Sequence, residues 1–166
     1  MIKEEFMECL AIWPLEIQEQ LLDQINLDPN LIDSLLHPKP FIELSVYPIT
    51  DWSSLQWKKK NIKFNTEWMN YHMYNGLIMT INRMIGLYAR NINHKAFGTN
   101  DLDRHNRIKE YVVDNGTWPK PPIFVLTEDK KMIMVDGAHR MCQILVAQNT
   151  GIHIQEKHEV WIGSNK

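Results

Sequence analysis

Long apolar runs are missing from this chain of 166 residues. No stretch approaches the roughly 20 apolar residues that a membrane span needs, so a membrane partner is not expected. Cysteine is scarce. Cys9 and Cys142 stand far apart, with no CxxC pair and no Cys/His spacing of a zinc site. That excludes a disulfide scaffold and points to a reducing, cytoplasmic compartment. A basic excess is also missing: the net charge is −2 and the isoelectric point about 6.4. Bulk electrostatic binding to duplex nucleic acid is therefore disfavoured, though a local basic pocket is not. The opening residues lack the basic-then-apolar order of a secretory signal, because Glu4, Glu5 and Glu8 precede the short apolar patch. Internal repeats and low-complexity tracts are absent.

What is present is enough apolar material for one ordinary domain. Hydrophobic residues make up 44% of the chain, six Trp, five Tyr and five Phe among them, and a packed core follows. Phe6, Leu10 and Trp13 fall at helical spacing. Pro14 opens a second helix carrying Leu15, Ile17, Leu21, Leu22 and Ile25. A short helix near 29–36 follows, and "HPKP" (37–40) stops it. "FIELSVYP" (41–48) alternates as a strand, and "ITDWSSLQWKKKN" (49–61) reads as loop, with Lys58-Lys59-Lys60 on a solvated turn. Residues 66–90 form the clearest helical pattern, weakened at Gly76 and Gly86. A helix over about 102–114 should turn Leu102, Ile108, Tyr111 and Val112 inward. "IFVLT" and "KMIMVD" are two β runs joined by a tight turn. Residues 138–149 return to helical period, and "HEVWIG" reads as a last strand. The fold class expected is α+β, a mixed α/β layer with a small sheet and flanking helices.

The informative place is the junction "VDGAHRM" (135–141), where a strand meets a helix. Gly137 lets the backbone turn sharply or approach a ligand closely. The first N–H groups of the helix, Gly137, Ala138, His139 and Arg140 among them, favour an anion. Arg140 offers a planar cation for forked contact with phosphate oxygens. His139 can donate to the same anion or move a proton. Asp136 is better suited to a divalent metal, to a hydroxyl, or to orienting His139 or Arg140. The bland alternative is a common Asp-Gly turn followed by hydrogen-bonded surface residues. In "DLDRHNRIKEYV", Arg104 or Arg107 could reach the same anion, against the default of a solvated face. His94, His153 and His158 have no metal-ligand spacing, and the aromatics of 66–90 could stack a base but read better as core.

The stretch "PPIFVLTEDKKMIMVDGAHRMCQILVA", with "HEVWIG" after it and "IELSVYP" before, resembles the core of the ParB/sulfiredoxin superfamily. Asp136, Gly137, His139 and Arg140 occupy the motif positions, with Ala138 variable. The resemblance divides the chain into an N-terminal helical extension, 1–40, and a ParB/sulfiredoxin-like domain, 41–166, with a helical insertion at about 66–100. It implies that the loop binds nucleotide phosphates. Sulfiredoxins carry a catalytic Cys where Ala138 stands, so sulfinic-acid reduction is not expected, and Cys142 reads as a small buried hydrophobe. The Asp-Gly-x-His-Arg form is most similar to that of ParB-like free serine kinases. It implies a nucleotide-dependent phosphotransferase or hydrolase that uses ATP or another nucleotide, Mg²⁺ and a small hydroxyl acceptor. Asp136, His139 and Arg140 would be the catalytic residues, and Asp136 the metal ligand. The resemblance also implies an acidic base outside the loop, for which Glu43, Asp51 and Asp103 are the candidates. The alternatives are a non-catalytic nucleotide switch whose added helices meet a protein partner, and a ParB-like nuclease, which the acidic charge disfavours. Arg140→Ala is expected to abolish nucleotide binding with little loss of fold.

Overall fold

The computed structural model describes residues 1–36, 51–90 and 101–165. The strand expected at 41–48, with Glu43, and the loop holding His94 lie outside the described residues. Three helices come first: α1 (Lys3–Leu10), α2 (Leu15–Leu27) and α3 (Leu31–Leu36). Pro14 caps α2, as its fixed φ and missing N–H allow. Strand β1 (Gln56–Ile62) follows a single tight turn of helix at Trp52–Ser54. Next come α4 (Thr66–His72), α5 (Asn75–Ala89) and α6 (Asp101–Asn115). Strands β2 (Ile123–Leu126) and β3 (Met132–Asp136), helix α7 (Ala138–Asn149) and strand β4 (His158–Ser164) complete the chain. The fold class is mixed α+β, with seven α-helices and a four-stranded mixed sheet among the described residues. Among the described residues, no helix is long and apolar enough to cross a membrane.

The strand order is β1-β4-β2-β3. The β2–β3 hairpin is antiparallel, β4 lies parallel to β2, and β1 closes the other edge antiparallel to β4. Strand alternation sends Phe124, Val160 and Ile162 to one face, where they join a core with residues of α4–α7. Ile123, Val125 and Val135 point to the opposite face, where Phe6, Leu10, Ile17 and Leu21 cover them. The N-terminal helices thus form one full layer of a helix–sheet–helix arrangement.

Three expectations need correction. The first is the loop reading of 49–61, of which Gln56 onward is strand β1: its lysines sit on an edge strand rather than a turn. Lys59 is neutralised there by Glu16 at 2.9 Å and Glu159 at 3.6 Å. Edge lysines are a usual guard against edge-to-edge pairing. The second is the 66–90 helix, which breaks at Met73–Tyr74 and not at either glycine. Met73 turns extended, is fully buried and bridges Met132 on the β3 edge. The third is Tyr111, which is 39% exposed although its neighbour Val112 is buried.

Candidate functional site

The sequence builds the β3–α7 junction around Gly137. Its φ of 130° is a conformation that side chains rarely adopt, and a Cβ there would lie 2.6 Å from Pro122 Cβ. Glycine is therefore required for packing against the Pro121-Pro122 segment as well as for the turn. Helix α7 begins at once. The first helical bond runs from the Met141 N–H to the Gly137 carbonyl at 3.0 Å, and no side chain caps this end. The N–H groups of Ala138, His139 and Arg140 precede that bond, as at any helix start.

These residues line a pocket of about 190 Å³. Its wall includes Asp136, Gly137, Ala138, His139 and Arg140 from the junction and Arg104 and Ile108 from α6. Gln20, Asp23 and Gln24 enter from α2, and Pro119 and Lys120 from the strap leading into β2. Three cations, Arg104, Lys120 and Arg140, face two carboxylates, Asp23 and Asp136. With the partial positive charge of the helix start, the pocket favours an anion.

Arg140 is not a loose cation. Its side chain is 9% exposed and that of Asp136 is 14% exposed, and the guanidinium Nη2 donates to Asp136 Oδ2 at 2.7 Å. Nη1 donates to Gln20 Oε1 at 2.8 Å and to the Lys120 carbonyl at 2.9 Å. Gln20 in turn donates to the Pro121 carbonyl at 3.1 Å. This network joins α2, the strap, β3 and α7. Breaking a buried pair by removing one partner costs about 3–5 kcal/mol. The expectation that Arg140→Ala spares the fold is therefore corrected. Among its expected roles, Asp136 takes that of orienting Arg140. One oxygen is committed to that pair, and no group of three His, Cys, Asp or Glu side chains converges as a metal site among the described residues.

His139 is 7% exposed, and its Nε2 lies 2.8 Å from the Tyr88 hydroxyl. Tyr88 stacks on His105, with ring centroids 4.0 Å apart. Gln143 Nε2 approaches His105 Nε2 to 2.6 Å. Burial, and then the charge of Lys109, push the His105 pKa down to about 4, so this imidazole is neutral at pH 7. Cys142 is fully buried, and desolvation raises its thiol to about 12, which leaves it an inert core residue.

The junction residues and Arg104 thus come together as the sequence suggests. Arg107 does not join them. Positions 104 and 108 share a helix face, while 107 is turned into solvent. Asp103 is also exposed and off the pocket. Asp51 accepts hydrogen bonds from Ser53 and caps the turn before β1. Sequence reasoning missed Gln20, Asp23, Gln24 and Lys120. Gln20 left one signal: it lies three residues after Ile17 and beside Leu21, a polar residue on an inward-facing stripe. Comparison with family models, curated proteins and solved structures finds no match to this chain.

Proposed function

We propose that this protein binds a nucleotide, ATP or another, by its phosphates at the start of α7. The observation that carries the reading is a pocket where the uncapped first turn of α7 meets Arg104, Lys120 and the anchored Arg140. The order strand, Gly137, helix, strand is also what the resemblance to the ParB/sulfiredoxin superfamily implies. Main-chain N–H groups and Arg104 and Lys120 would take the phosphate oxygens. Arg140 would act from a fixed position, its geometry held by Asp136 and Gln20. Asp23 and the remaining oxygen of Asp136 are the carboxylates available to a Mg²⁺ that also meets phosphate, which suits that ion's habit of using one or two carboxylates. Bound Mg²⁺ would neutralise charge on the transferring phosphate. Phosphotransfer to a small hydroxyl compound, or hydrolysis, is the reaction such a site would serve in the cytoplasm.

A specific observation favours the second reading, a nucleotide-binding module without turnover. Arg140 and His139 already have protein partners, and the acidic base candidates Asp51 and Asp103 stand off the pocket. Thermal shift with ATP, ADP and CTP, with and without Mg²⁺, tests binding, because a ligand selective for the native state raises its stability. Lys120 is exposed, so Lys120→Ala keeps the fold and should weaken binding about tenfold, the worth of a charge-assisted contact. Phosphate release, alone and with small hydroxyl compounds, then separates enzyme from module. No shift with any nucleotide overturns both readings.

A further inference from the structure

A second hollow of about 390 Å³ shares Pro119 with the first, and residues of the Trp118–Pro121 strap line both. The strap is pinned at three points. Trp118 Nε1 donates to the Glu159 carbonyl at 2.8 Å, Arg140 donates to the Lys120 carbonyl, and Gln20 donates to the Pro121 carbonyl. The two hollows therefore keep a fixed spacing.

Their chemistry differs. The first is biased toward anions and, at about 190 Å³, falls below the roughly 300–1,000 Å³ of whole-ligand pockets. It suits a phosphate group and leaves the rest of the molecule outside. In the second hollow Glu16 and Glu159 balance Lys59 and Lys157, so it has no bias toward another anion. Its hydrogen-bonding side chains are of both senses, Asn61, Thr117 and Gln155 among them. Several are already held in place. Glu16 receives Lys59 at 2.9 Å and Trp161 Nε1 at 2.7 Å, and Gln155 donates to the Asn115 carbonyl at 3.1 Å. Tyr111, Trp118 and the prolines supply ring surfaces. A sugar presents this mixture, with hydroxyls that donate and accept around a ring bearing C–H faces.

We propose that the second hollow binds the sugar of the ligand whose phosphate sits at α7, so that a phosphorylated sugar or a nucleoside phosphate spans the strap at Pro119. This rests on the phosphate reading above and names the class of ligand. The exposed Tyr111 acquires a role as the ring face for that sugar.

Isothermal titration calorimetry on the full chain tests it with inorganic phosphate, ribose 5-phosphate, glucose 6-phosphate, adenosine monophosphate and free ribose. A sugar phosphate should bind at least about tenfold more tightly than inorganic phosphate. Tyr111→Ala and Asn61→Ala, both at exposed positions, should each shrink that advantage several-fold and leave inorganic phosphate binding unchanged. Tighter binding of adenosine monophosphate than of the simple sugar phosphates would identify a nucleotide, and the reverse a sugar phosphate; either supports the proposal. Equal affinity for phosphate and sugar phosphates, or an advantage that survives both substitutions, overturns it while the phosphate reading stands. Binding of ribose with no binding of inorganic phosphate overturns the phosphate reading and the spanning ligand together, as does no binding at all.

Discussion

The two faces of the sheet are built from different materials. The face under α1–α3 is apolar and aromatic: Phe6 meets Trp13 and Trp52 edge-on, with centroids 5.6 and 5.4 Å apart, and Trp57 packs on Trp13 at 5.0 Å. The face under α4–α7 has a comparable apolar core but also buries a polar chain, His139, Tyr88, His105 and Gln143. An aromatic cluster is non-directional and tolerates adjustment. A buried polar chain is directional, and an atom left without a partner, as His105 Nδ1 is, costs stability. The pocket lies where the two layers meet. Gln20 reaches across from the apolar layer to Arg140, so each layer supplies part of the site. The difference teaches that apolar packing is spread over both faces, while the buried polar groups gather on one face and at the seam.

Substitutions can break that contrast. The largest effects should come from one residue in each region. Phe6→Ala opens a cavity in the apolar layer, and Arg140→Ala leaves Asp136 and Gln20 without their buried partner. Each should cost about 3–5 kcal/mol in denaturant unfolding. The regions then separate on binding: at temperatures where both variants are folded, Phe6→Ala should keep nucleotide binding and Arg140→Ala should lose it. Equal binding by the two would erase the distinction. Next comes Gly137→Ala, where the new Cβ meets Pro122 in a backbone conformation that alanine resists. A loss of about 2–4 kcal/mol is expected, shared between overpacking and strain. A neutral result would mean that the strap shifts freely.

The smallest effect at pH 7 belongs to the buried histidines, and it grows with acid. The His105 pKa sits at about 4 in the fold against an ordinary 6.5, so the unfolded chain takes up that proton first. Stability from this group is full above about pH 6.5, falls as the pH drops from there to about 4, and levels off below. Burial also lowers His158, which adds to the same slope. Thermal melts across that window should show a flatter acid slope in His105→Asn, whatever its stability at pH 7. An unchanged slope would mean that the polar chain does not resist protonation.

Much of this was legible in the sequence, and the gaps have physical causes. Helices α1, α2, α6 and α7 and the β2–β3 hairpin announce themselves by apolar period. Strand β1 does not. In "QWKKKNI" only Trp57 and Ile62 are large and apolar, and what makes it a strand is pairing with β4, about a hundred residues later. The break at Met73 likewise depends on a remote edge, that of β3. Within the site, Asp136 to Arg140 could be read because a strand, a glycine and a helix start are contiguous. Asp23 and Lys120 could not, and Gln20 showed only as a polar residue on an inward-facing stripe, because only the fold brings them near.

The bond from Gln20 to Arg140 spans 120 positions of the chain. The five-residue loop is thus not a portable cassette. Grafted onto another scaffold, or left in a shortened chain lacking α2, it would present a guanidinium short of one of its acceptors and a strap with one anchor fewer. The candidate pocket is complete only when α2 and α7 have both folded.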